Sequence, residues 1–354
     1  MTPADIISER LYRQQLSQSV FTTPYEVVSW MGAMQAQDFQ AAKWAVGCRL
    51  PFSTEKDLET AISDASIVRS WPMRGTLHFV AAEDLPWMLQ LLTPHILSAQ
   101  KGRHRQLELD DKVFSRTGRL LERALGKYNA LPRPQLLSML NENGIATTGQ
   151  RGAHILQYHA LKGLICLAPH HGKQPAFALL EAWIKRKKSL GREERLGELT
   201  YRYFRSHGPA TIDDFKWWSG LRIAEIREGL ALCKGKLEPF SFGENEYWTE
   251  SVPLGTLPPV PPVSLLPGFD EYMLGYRDRS LSLKPADAPS VVPGNNGMFL
   301  PIFLRKGYIR GIWRHKIHKQ TLEVSLSPFR EKDAPGPRQL AVEIKKYKAF
   351  LGLQ

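Results

Sequence analysis

Three times along the chain, a capped helix opening leads into further helical sequence and then into two short runs that read as paired strands. This recurrence constrains the fold more than any other feature. The first opening is Thr23-Pro24-Tyr25-Glu26, in which Thr23 can cap, Pro24 suits the first helical position and Glu26 sits three residues after the cap. Val27, Trp30, Met31 and Met34 follow at i, i+3, i+4 and i+7, a core-facing stripe that carries this helix to Met34. Further helices are expected at about 40 to 48 and about 54 to 64, and Ile67 to Val80 reads as two strands around Pro72 to Gly75. In the second copy, Leu136, Leu137 and Leu140 form a stripe ending near Gly144, Thr148 and Gly149 precede another helix, and Leu164 to Leu180 holds two strand-like runs. The third opens at Thr211 with Asp214 three residues on, continues through Phe215, Trp218, Ile223, Ile226 and Leu230, and turns a hairpin around Gly243.

Helices followed by a β-hairpin are the order of a winged helix. The expected fold is therefore α+β, mainly α, with winged-helix modules at 1–82, 128–180 and 181–252, the last with a basic leading helix. A helical connector fills 83–127. Pro253, Pro258, Pro259, Pro261 and Pro262 mark 253–263 as a stiff linker, because proline continues neither a helix nor a central strand. Residues 264–354 are expected to form a β-rich α+β unit with a hairpin through Lys306-Gly307 and a closing helix near 337 to 351. The openings near 24, 133 and 211 are unequally spaced, which excludes a solenoid of fixed period.

The net charge of +12 and pI near 9.6 favour a polyanionic partner, since released counterions drive such association. The charge is uneven: residues 1–64 hold five Lys/Arg against eight Asp/Glu, whereas 101–127, 185–205 and 305–319 are rich in Lys and Arg. Cys48, Cys166 and Cys233 are too few and too scattered for a disulfide framework or a zinc site, and are expected as buried thiols of a reducing compartment. His315-x-x-His318 and His170-His171 lack a carboxylate or thiolate at familiar metal-site spacing, and no GxxxxGK[ST] loop is present. No metal, cofactor or nucleotide is expected. With no apolar run near the length of about 18 residues needed to span a membrane, and with Asp5 and Glu9 interrupting the amino terminus, the chain reads as a soluble cytoplasmic monomer, nucleoid-associated when on DNA.

Gln35 and Gln37, at the end of the first stripe, are the candidate catalytic pair. Amides at a helix end often only satisfy loose backbone groups, and on their own these two carry little. However, Met34-Gln35-Ala36-Gln37-Asp38, then Ser70-Trp71-Pro72-Met73-Arg74-Gly75-Thr76-Leu77-His78, then Leu265-Leu266-Pro267-Gly268-Phe269-Asp270-Glu271-Tyr272-Met273-Leu274-Gly275-Tyr276 together resemble the AlkZ/YcaQ family of winged-helix DNA glycosylases. The resemblance spans nearly the whole chain and includes the Gln-Φ-Gln signature, with a small Ala36 at Φ. It implies three winged helices in a C-shaped arrangement around double-stranded DNA, and a monofunctional, metal-independent glycosylase that removes alkylated purines and unhooks interstrand crosslinks. By motif, Gln35 and Gln37 become the residues that position the attacking water.

The chemistry is consistent with that implication. Alkylation at N7 makes guanine cationic, so the leaving base needs no proton and two neutral amide oxygens suffice to aim a water at C1′. Candidate DNA contacts are Arg69 and Arg74 on the first wing and Arg151, His154, Tyr158 and Lys162 on one helix face of the second module. His78 is expected to be packed or hydrogen-bonded. Asp270-Glu271, read as part of a strand, would point to opposite faces and so is not expected to act as a paired acid and base; Arg277, Arg279 or loop amides are its expected partners. The competing reading is a noncatalytic winged-helix DNA-binding protein, either regulator or architectural.

Overall fold

A computed structural model describes residues 2–172, 174–252, 255–295 and 297–353; Pro253 of the linker lies outside them. The fold is a helix-rich α+β arrangement in two compact units, one made of residues 1–58 and 196–354, the other of 59–195. The Pro24–Met31 and Phe39–Gly47 helices of the first module fall in one unit and its hairpin in the other, a division that the module boundaries read from the sequence do not follow.

In the discontinuous unit, an unforeseen helix, Pro3–Arg13, opens with a capping box between Thr2 and Asp5. Pro24–Met31 follows, with the expected reciprocal box between Thr23 and Glu26. Phe39–Gly47, Ile212–Ser219 and Ile223–Leu232 are helices close to the expected positions, and the Leu237–Phe242 and Asn245–Glu250 strands form the third hairpin. The carboxy-terminal part is an antiparallel sheet in the order Thr321–Pro328, Tyr308–His318, Ile302–Arg305, Val263–Leu266. The two-residue turn Lys306-Gly307 has both residues at positive φ, which a hairpin of this hand requires. The Pro337–Phe350 helix closes over Trp44, Phe303 and Trp313 through Tyr347 and Phe350. A second core joins Ile7 and Leu11 to Leu266, Tyr272, Met273, Ile302 and Ile309, tying the amino-terminal helix to the sheet.

The continuous unit carries the expected connector as the Leu85–Gln106 and Asp111–Tyr128 helices. Its strands lie side by side in the order Thr76–Ala81, Ile67–Met73, Ile165–His171, Gln174–Leu179, Ala130–Pro132. The first and second hairpins are joined edge to edge at Arg69 and Leu167 and so form one sheet rather than two separate wings. Leu121, Leu125, Leu136, Leu156 and Phe177 fill the space between this sheet and the helices of the unit, among them Arg133–Glu142 and Arg151–Leu161.

Candidate active site

The stretch holding both glutamines is not helical: Met34–Gln35 is a short strand and Gln37 lies in a bend. Gly32 ends the Pro24–Met31 helix at φ 77, a conformation that costs glycine little and other residues more. The chain then runs extended through Met34–Gln35 until Asp38 starts the next helix, its carboxylate accepting the N–H groups of Gln40 and Ala41 at 3.0 Å each. Met34 therefore belongs to this extended segment, correcting the helical stripe that had seemed to include it. Asp38 is the cap that fixes the far end of the segment.

Burial along the segment differs residue by residue: Met34 and Ala36 are fully buried, Gln35 is half-buried and Gln37 is exposed.

Beneath them lies a buried polar layer contributed by the third sequence motif. Glu271, 1% exposed, accepts the backbone N–H of Gln35 through Oε1 at 2.8 Å and the indole N–H of Trp218 through Oε2 at 3.0 Å. His207 Nε2 stands 3.6 Å from Oε2, and burial lowers its pKa, favouring the neutral imidazole. Tyr203 stacks on His207, and Gly275 leaves room for that ring, since a Cβ there would lie 2.6 Å from His207 Cδ2. Asp270 caps the single helical turn Glu271–Leu274 through the N–H of Tyr272 and receives Arg49 in a two-pronged pair at 2.7 and 2.9 Å. The Asp-Glu pair is therefore not in a strand, and its partners are Arg49, Trp218 and the backbone of Gln35. Arg277 instead pairs with Asp213, and Arg279 donates to the Met273 carbonyl.

The family model described as DNA glycosylase AlkZ-like matches residues 28–350, which include the glutamine segment and the Asp270-Glu271 turn. The chain belongs to this family. A curated AlkZ-like relative, the interstrand DNA cross-link repair glycosylase of Streptomyces sahachiroi, is 24% identical over 353 residues, covering 92% of this chain and 91% of the relative. The solved structure of the Streptomyces sahachiroi DNA glycosylase AlkZ matches with a TM-score of 0.83 at 20% identity, over 100% of this chain and 97% of that one, a likeness of fold.

The expected DNA contacts of this AlkZ-like chain fare unevenly. Arg69 is only 8% exposed on a strand flanked on both sides, which leaves it little surface. Arg74 sits with Gly75 at positive φ in the two-residue turn of the first hairpin, and the Gly75 carbonyl accepts from Gln157, so the tip is docked rather than projecting. Tyr158 stacks on Phe114 with ring centroids 3.6 Å apart, and His154 meets His104 edge-on; these side chains serve the packing of the unit more than an open polar face. Arg151 donates to the carbonyls of Ala146, Leu107 and Glu108. Lys162, at the end of the same helix, is exposed. His78 is fully buried with Nδ1 2.9 Å from the Thr76 carbonyl, consistent with the packed role expected of it.

The cysteines are free, and burial pushes the thiols of Cys166 up to about 12 and Cys233 up to about 11, which leaves them protonated and poorly nucleophilic. Among the described residues, no group of three His, Cys, Asp or Glu could hold a metal ion, and no helix is long and apolar enough to cross a membrane.

Proposed function

We propose that this chain is a monofunctional DNA glycosylase that hydrolyses the N-glycosidic bond of cationic N-alkylated purines, N7-alkylguanine first among them, with a water held by Gln35 and Gln37. The observation that supports this reading is that Gln35 is half-buried and Gln37 exposed, on either side of the buried Ala36, in a chain that belongs to the AlkZ-like family. Their side-chain oxygens accept hydrogen bonds from one water and aim its lone pair at C1′. The C1′–N9 bond breaks with its electron pair returning to the base, which neutralises the cationic purine. The water oxygen bonds to C1′ and releases a proton to solvent. Neither step calls for a general acid, and selectivity comes in large part from the lability of the alkylated base.

Interstrand crosslinks through N7 are included among the proposed substrates. A crosslinked base is tethered to both strands and cannot be turned into a closed pocket, and the Streptomyces relative is an interstrand DNA cross-link repair glycosylase. The partner is double-stranded DNA, and the basic balance of the chain supplies the nonspecific attraction. The deciding experiment incubates the protein with a methylated duplex and with a duplex crosslinked through N7 of guanine. Free N7-methylguanine and separated strands carrying abasic sites support the proposal. Tight binding to both duplexes with no base released supports a noncatalytic DNA-binding protein instead.

A further inference from the structure

We propose that Glu271 is the positioning residue for the water-holding segment. Its buried carboxylate fixes the backbone from which Gln35 and Gln37 project, an inference that rests on the proposed role of those two amides. An apolar side chain at 271 would be buried at less cost than an acid. What an ionised carboxylate alone supplies there is an acceptor on each side at once. One oxygen takes the Gln35 N–H at 2.8 Å and the other takes the Trp218 indole N–H at 3.0 Å, with both Glu271 and Trp218 in the interior.

The carboxylate is itself held from behind. Glu271 is the first residue of a helical turn whose cap, Asp270, is gripped by Arg49, and Arg49 also donates to Gln14 and to the Ala45 carbonyl. Position therefore passes from a rigid buried network through one charge-assisted hydrogen bond, the strong class of such bonds, to the backbone atom at the centre of the segment. Gly32 and Asp38 hold its ends. Glu271 is buried and bonds the backbone N–H of Gln35, so it acts through that residue and its loss is read in the rate, not in substrate affinity.

The test exploits the asymmetry of an amide. Glu271→Gln keeps the shape but offers one oxygen and one NH2, so either the Gln35 N–H or the Trp218 N–H must face another donor. Adding Trp218→Phe removes the indole donor and lets the new amide oxygen return to Gln35. Single-turnover release of N7-methylguanine from a methylated duplex is measured alongside duplex affinity for wild type, Glu271→Gln, Trp218→Phe and the double variant. The expected loss for Glu271→Gln is about a hundredfold in rate, the scale of a misplacement of about 1 Å, with affinity kept within about threefold. The double variant is expected to be at least about tenfold faster than Glu271→Gln alone. A Glu271→Gln variant at the wild-type rate, one that loses affinity and rate together, or a double variant no faster than the single one overturns the proposal. Absence of release by the wild type is a separate outcome, which contradicts the glycosylase reading itself.

Discussion

Arg49 holds Asp270 through both terminal nitrogens, at 2.7 and 2.9 Å, in an interior where neither side chain is exposed. The pair joins the helix after the glutamine segment to the turn that carries Glu271, residues 221 positions apart in the sequence. Removing one partner leaves an unpaired charge in the core, which costs about 3–5 kcal/mol. Asp270→Asn and Arg49→Met are therefore expected to lower the unfolding free energy by about that amount in urea titrations. A loss under about 1 kcal/mol would mean that the pair is much less isolated from water than its geometry implies.

His159 makes stability depend on pH. Burial lowers its pKa from 6.5 to about 4, its Nε2 lies 2.8 Å from Thr117 Oγ1, and Gly118 provides the space, a Cβ there lying 3.0 Å from the ring. A histidine whose folded-state value lies below the unfolded one contributes stability that is complete above pH 6.5 and is lost as pH falls toward 4. The loss across that window is about 3 kcal/mol. His159→Gln is expected to flatten this part of the pH profile in thermal or urea unfolding, and an unchanged slope would show that the imidazole protonates as readily in the folded protein as in the unfolded one.

Lys162 is the exposed cation on the helix that follows Gln150, and we propose it as a phosphate contact. Replacing it with alanine should weaken duplex binding irrespective of sequence and reduce the slope of log affinity against log salt by about 0.9, the value for one phosphate. Arg69→Lys, at a buried position, should leave that slope unchanged. Anisotropy titrations over a range of salt distinguish the two; an identical slope for wild type and Lys162→Ala would remove the contact.

What the sequence reveals and what it hides can be traced to particular residues. Thr23, Pro24 and Glu26 announce a helix start because capping chemistry is local, and Lys306-Gly307 announces a hairpin for the same reason. Met34 misleads because one more apolar residue at helical spacing extends the stripe on paper, whereas Gly32 has already ended the helix at positive φ. Asp270-Glu271 reads as a strand because a single capped turn is too short to show a period, and its partners Arg49 and Gln35 are more than 200 positions away. Tyr158 and Arg69 look like surface residues by type; only the packing of Phe114 on the one covers part of it, and the neighbouring strands around the other bury it. Gln35 and Gln37 stand out through their motif, whereas the contact of Glu271 with the Gln35 backbone has no local signal in the sequence.

Gln35 and Gln37 are proposed to act on water rather than on DNA. The most direct test of this role is the single-turnover rate of N7-methylguanine release by Gln37→Ala, measured beside the affinity of the same variant for the same duplex. Loss of a water-orienting group predicts a fall in rate of about a hundredfold with affinity within about threefold of wild type. A rate that survives the substitution, or rate and affinity falling in equal measure, would contradict the account.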